Sequence, residues 1–292
     1  GLLRQYFRYG LYKVRGFQKR PALLRPRHLV PAALVAAIAA ALVLAVVTPW
    51  ALAALGLGAV AWLTAAVGFG RRVGPVRLVG WGIKPAPAVK RAALLSFAVA
   101  GGFGLALAIA VGWELLAVGA ASFAAGWLYT GGPKPYGYLG LGELFVFTFF
   151  GVVATTFSSY VQLEEVQGLA VVASIPVGFL ATALLVTNNL RDIPGDTASG
   201  KRTLAVRIGA GPTRVLYAVL LVLPFLLLPP ICGLGGRPAG AAALIAVLLA
   251  RRPLAHVLQG AEGADLISVL VDTGRVQLVY GVLLAAGLAL TG

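Results

Sequence analysis

Residues 169–187 read LAVVASIPVGFLATALLVT, and residues 188–203 continue NNLRDIPGDTASGKRT. The first segment is uncharged and about as long as the roughly 20 apolar residues a helix needs to cross a hydrocarbon core. The second holds two of the chain's four aspartates, Asp192 and Asp196, four residues apart beside Arg191, Lys201 and Arg202. An apolar run that ends this way reads as a membrane-crossing helix delivering a polar cluster to the bilayer surface.

The rest of the chain agrees with that reading. Of 292 residues, 60% are hydrophobic and 11% charged, whereas a soluble domain carries about 25% charged residues. Lipid-exposed backbone must satisfy its own hydrogen bonds, which favours helices, and the alternation of a membrane β-barrel is not seen. The expected fold is all-α, a polytopic transmembrane helical bundle of nine spans at 30–48, 50–69, 91–111, 113–129, 143–159, 169–187, 214–230, 238–250 and 277–291. The first 28 residues are basic and aromatic without an apolar core, so no cleavable signal peptide is expected.

A formal net charge of +15 could suggest nucleic acid, but the cations are distributed as in a membrane protein. With the amino terminus inside, 23 of the 24 Lys and Arg residues fall on the cytoplasmic side and only Arg237 outside, whereas Glu114, Glu164 and Glu165 lie outside. This is the positive-inside pattern, and the positive charge then serves orientation and attraction to anionic headgroups. The single Cys232 excludes an intrachain disulfide and a cysteine-based metal site.

In Asn188-x3-Asp192-x3-Asp196 the spacing stacks an amide oxygen and two carboxylates along one helical face. Like charges at that spacing repel each other, and a bound cation removes the cost. Hard oxygen ligands suit Mg²⁺, which is usually completed by water and substrate phosphate. Asn188, Asp192 and Asp196 are therefore the candidate metal ligands, the two aspartates the candidate catalytic residues, and Arg191, Lys201, Arg202 and Arg207 are placed for diphosphate oxygens. The plainer reading of the same residues is a helix end at which Asp192 and Asp196 pair with Arg191 and Lys201.

Elsewhere, residues 1–29 interleave eight cations with aromatic residues and read as a basic interfacial segment. His28 reads as structural. Residues 70–91 form a basic Gly/Pro loop, either a solvated anchor or a phosphate-facing surface. The stretch 129–143, YTGGPKPYGYLGLGE, is too rich in glycine and proline to be helical throughout; it reads as a shaped loop presenting Lys134, with Glu143 capping the next helix. Three prolines in 214–230 predict a kink. Arg251, Arg252, His256, Asp265, Asp272 and Arg275 are expected in an inside loop before the last span, where Asp265 and Asp272, seven residues apart, are compatible with one helix face and could pair with Arg251, Arg252 or Arg275.

NNLRDIPGDTASGKRTLAVRIG resembles the second aspartate-rich motif of the UbiA-type membrane prenyltransferases, and most of all those acting on 1,4-dihydroxy-2-naphthoate in menaquinone synthesis. VGPVRLVGWGIKP, YTGGPKPYGYLGLGE with FVFTFFG, and DTGRVQLVYG resemble the same group, so the likeness runs from about residue 73 to 292. It implies a bundle of about nine spans around a cavity open to lipid, and a Mg²⁺-held polyprenyl diphosphate whose allylic carbocation alkylates the naphthoate ring with loss of its carboxylate. It further implies Mg²⁺ on Asn188, Asp192 and Asp196, and diphosphate on Lys134, Arg191, Lys201 and Arg202.

The family's first aspartate-rich motif is missing, since AWLTAAVGFGRRVGPVRLVG contains no Asp or Asn and no aspartate precedes Asp192. That absence would impair the reaction. Residues 1–65 instead resemble the membrane tail of family-2 glycosyltransferases, whose sugar-nucleotide domain is absent here. Three regions are therefore expected: the basic segment 1–29, a two-span region 30–70 of different origin, and a prenyltransferase-like domain 71–292. Alternatives are another aromatic acceptor, or a non-catalytic or transport membrane protein.

Overall fold

The computed structural model describes residues 86–131 and 133–290, and every regular element among them is helical. In chain order these are α1 Ala86–Ala110, α2 Glu114–Thr130, α3 Gly142–Leu163, α4 Gly168–Ala198, α5 Leu204–Ile208, α6 Ala210–Leu234, α7 Pro238–Leu258 and α8 Asp265–Leu290. Six of them, α1, α3, α4, α6, α7 and α8, are long and apolar enough to cross a membrane, and α2 is a shorter apolar helix. Seven of the nine expected spans thus fall on helices. The spans at 30–48 and 50–69, the basic segment 1–29 and most of the 70–91 loop lie outside the described residues.

Burial shows which helix is central. Only 6% of the apolar window of α1 is buried against 50% of that of α4. The core joins Leu180, Val186 and Leu190 of α4 to residues of α6, α7 and α8, among them Tyr217, Val257 and Tyr280. Apolar side chains gain little by leaving lipid for each other, so such packing depends on close contact and interhelical hydrogen bonds. Where α3 crosses α4, a Cβ on Gly151 would overlap the backbone of Gly178, and one on Gly178 would come 2.8 Å from the Phe147 ring. Gly151 belongs to a π-helical segment, Phe147–Val153, within α3.

Buried polar groups are paired inside this core. Thr182 and Thr187 donate to the carbonyls of Gly178 and Ala183, four residues back, at 2.8 and 2.9 Å. The Tyr217 and Thr273 hydroxyls lie 2.7 Å apart, joining α6 to α8. The Tyr280 hydroxyl donates to the Pro224 carbonyl at 2.9 Å. That bond falls beside the prolines of α6, which runs as one helix through Pro224, Pro229 and Pro230.

Two further boundaries differ from expectation. The last helix begins at Asp265 rather than near residue 277, and α7 extends to Leu258, so Arg251, Arg252, His256, Asp265, Asp272 and Arg275 are helical rather than in a loop. Charge marked that region as loop, yet Asp272 is buried, with Arg275 at 3.3 Å and Arg252 at 3.7 Å. The central helix runs through Pro194 to Ala198, in keeping with the helical spacing of Asn188, Asp192 and Asp196. Its 31 residues span about 46 Å at 1.5 Å per residue, well beyond the ~30 Å hydrocarbon core. Counted from Gly168, roughly 20 residues of crossing end near Thr187, immediately before the polar motif.

Candidate active site

The projecting end of α4 carries Asn188, Asp192 and Asp196 at successive helical turns. Asn188 and Asp192 are bridged by one guanidinium. Arg191 donates through Nη2 to Asn188 Oδ1 at 2.7 Å, through Nε to Asp192 Oδ1 at 2.9 Å, and through Nη2 to Asp192 Oδ2 at 3.1 Å. Asp196 is buried, with Lys201 Nζ at 3.7 Å from Oδ2. Carboxylates near the carboxyl end of a helix face the negative end of its dipole, so cations are needed here on two counts. The ion pairs of the plainer sequence reading are therefore present, and they arrange the same oxygens that could receive a metal.

Lys201 is delivered by the way α4 stops. The Lys201 N–H donates to the Asp196 carbonyl at 2.8 Å, and Gly200 between them has φ +73°. This is the Schellman termination, in which a left-handed residue turns the chain back over the last carbonyls. Thr203 then caps α5, its hydroxyl accepting from the Val206 N–H at 3.4 Å. On α5, Arg207 donates to the Arg202 carbonyl at 3.0 Å.

The Gly/Pro stretch between α2 and α3 packs on this corner, containing one 3₁₀ turn at Tyr136–Tyr138. A Cβ on Gly140 would lie 3.0 Å from Arg207 Nε. Tyr129 stands edge-on to Tyr136, Tyr136 stacks on Phe145 with centroids 3.8 Å apart, and Phe145 stacks on Phe149. Lys201 Nζ lies 5.9 Å from the centroid of the Tyr129 ring, so the aromatic row runs from a motif cation down α3. Burial pushes the Tyr136 phenol above its ordinary value, and neighbouring Tyr129 adds to the shift.

The structure thus brings together Asn188, Arg191, Asp192, Asp196 and Lys201. Lys134 and Arg202 are exposed. Glu143, expected to cap α3, stands in its first turn, where it is buried and accepts a 2.9 Å hydrogen bond from Asn189 Nδ2, while its Oε2 is buried without a hydrogen-bond partner among the described residues. The partnership ties the start of α3 to α4 beside Asn188. The sequence reading missed Asn189, whose signal was the Asn188-Asn189 doublet: adjacent helical residues point about 100° apart, so one can face the site and the other a neighbouring helix.

Among the described residues, no three His, Cys, Asp or Glu side chains gather into a metal cage. A cation bound at this end would take two carboxylates and an amide, leaving positions for water and phosphate oxygens. That donor set fits a hard dication such as Mg²⁺, and the Arg191 guanidinium already shows a positive group held by two of its three members.

The sequence model of the UbiA prenyltransferase family matches residues 85–265, a range that includes this motif. The chain belongs to the UbiA prenyltransferase family. A 1,4-dihydroxy-2-naphthoate octaprenyltransferase of Mycobacterium tuberculosis is 45% identical over 224 residues, covering 75% of this chain and 74% of that protein. The protein of the same name from Mycobacterium leprae is 42% identical over 221 residues, covering 76% and 74%, and that from Haemophilus influenzae 32% identical over 230 residues, covering 74% and 73%. Together with its six membrane-capable helices, membership makes the chain a multi-pass membrane protein. The likeness of residues 1–65 to a glycosyltransferase tail is not borne out.

Proposed function

We propose that this chain transfers a polyprenyl group from polyprenyl diphosphate to 1,4-dihydroxy-2-naphthoate, the prenylation of menaquinone synthesis, with Mg²⁺ as cofactor. The observation that carries the reading is the stacked Asn188, Asp192 and Asp196 on a helix end projecting beyond the hydrocarbon span, with Arg191 and Lys201 beside them. The naphthoate acceptor is supported by relatives named for it at up to 45% identity. The motif sits at a helix end rather than at mid-bundle, where transporter sites lie.

Asn188, Asp192 and Asp196 would hold the metal, which when bound neutralises diphosphate charge and so stabilises the leaving group. Arg191 and Lys201 contribute fixed positive charge at the same place, where charge develops as the allylic C–O bond breaks. The polyprenyl tail lies among apolar helices, and the aromatic row from Tyr129 to Phe149 shields the allylic end from water. A ring carbon of the acceptor supplies the electron pair for the new C–C bond. Loss of the carboxylate as CO₂ returns a pair to the ring and restores its aromaticity, so no net proton is required at that step. The amino terminus and the motif end face the cytoplasm of the cell membrane, as the distribution of Lys and Arg indicates.

Membranes containing the chain, given polyprenyl diphosphate, dihydroxynaphthoate and Mg²⁺, are expected to form prenylated naphthol. Asp192→Ala and Asp196→Ala should each abolish it. Absence of product at every Mg²⁺ concentration would overturn the proposal.

A further inference from the structure

We infer that the Arg191 guanidinium is a resident counter-cation in the metal position, and that it must leave for a divalent cation to enter, so that metal and diphosphate bind as a coupled pair. The inference rests on the metal-site reading above. Three hydrogen bonds of 2.7, 2.9 and 3.1 Å place one guanidinium across Asn188 Oδ1 and both oxygens of Asp192. A Mg²⁺-sized ion binds such oxygens at about 2.0–2.1 Å. A dication on the same oxygens would stand close against the guanidinium, and the like-charge repulsion is poorly screened here because the Arg191 and Asp192 side chains are only 13% and 18% exposed.

Arg191 cannot vacate the oxygens by losing its charge, because guanidinium stays protonated in proteins. It must swing away, and a guanidinium beside a newly bound dication needs an anion of its own. The diphosphate supplies one, with oxygens arranged for the planar fork of arginine. Metal alone therefore meets a site already neutralised, and diphosphate alone meets a guanidinium committed to Asp192. When both arrive, Arg191 passes from carboxylate to diphosphate and each charge keeps a partner. Lys201 holds Asp196 more loosely, at 3.7 Å, so the exchange is concentrated at Arg191.

The test reads metal binding directly. Purified full-length protein in lipid nanodiscs is titrated with Mn²⁺ alone, bound ion being followed by electron paramagnetic resonance, and the donor KM is measured separately. Arg191→Met is expected to bind Mn²⁺ about tenfold more tightly than the parent, within the usual range of coupling between two ligands, while its donor KM rises by a similar factor. Arg191→Lys, which keeps the charge without the fork, should fall between the two and serves if the methionine variant does not fold. Mn²⁺ affinity that is unchanged or weaker in both variants would overturn the exchange and leave Arg191 as a structural pin. Asp192→Asn should abolish Mn²⁺ binding in either background; if binding survives, the metal-site reading itself fails, independently of the exchange.

Discussion

At the scale of single residues, the site divides into groups that announce themselves by spacing and groups that do not. Asn188, Asp192 and Asp196 were legible because a four-residue repeat is a helical repeat, and Lys201 because it is a cation close behind the second aspartate. Glu143 stands in the first turn of α3 as expected, but its contact with Asn189, 46 residues away, was not foreseen, since no local pattern encodes a tertiary hydrogen bond. Its role leads to a stability prediction. Glu143→Ala leaves the buried Asn189 amide without its acceptor, a loss of about 1–3 kcal/mol, whereas Glu143→Gln keeps an acceptor oxygen and should lose clearly less. Thermal unfolding of the two variants in detergent measures the difference; equal losses would show that the contact contributes nothing specific.

At the scale of elements, the positions of the helices were readable from hydropathy, but their ends were not. Apolar windows stop where charge begins, yet α8 is helical through Asp272, whose carboxylate is met by Arg252 and Arg275. The α6 prolines leave one continuous helix from Ala210 to Leu234. Two substitutions test the elements themselves. Gly200→Ala forces a side chain into a left-handed conformation at φ +73°, costing about 1–2 kcal/mol. It should also displace Lys201 from Asp196, so donor KM is expected to rise more than kcat falls. Gly151→Val drives a side chain into the backbone of Gly178 where α3 crosses α4; the expected result is a sharp fall in folded protein recovered by gel filtration, with Gly102→Val, where a Cβ meets nothing within 4 Å among the described residues, as the milder counterpart.

At the scale of the whole molecule, the charge asymmetry of the sequence predicts which end of the bundle faces which compartment. Cys232 is the chain's single cysteine, so a Cys232→Ala background carrying either Ser199→Cys or Glu164→Cys provides one label at each end of the structure. In sealed cells an impermeant thiol reagent should reach residue 164 and not residue 199; the reverse pattern would invert the topology. The length of α4 carries a further consequence. A helix that crosses the bilayer and then continues for about three more turns, by its 31 residues and the 3.6-residue turn, fixes the height of its aspartates above the lipid tails as a mast fixes the height of a lamp above a deck. Bilayer thickness then becomes a control on the reaction. In vesicles with longer acyl chains the motif sinks toward hydrocarbon, where charged groups and diphosphate are poorly solvated, and turnover should fall steadily as the membrane thickens.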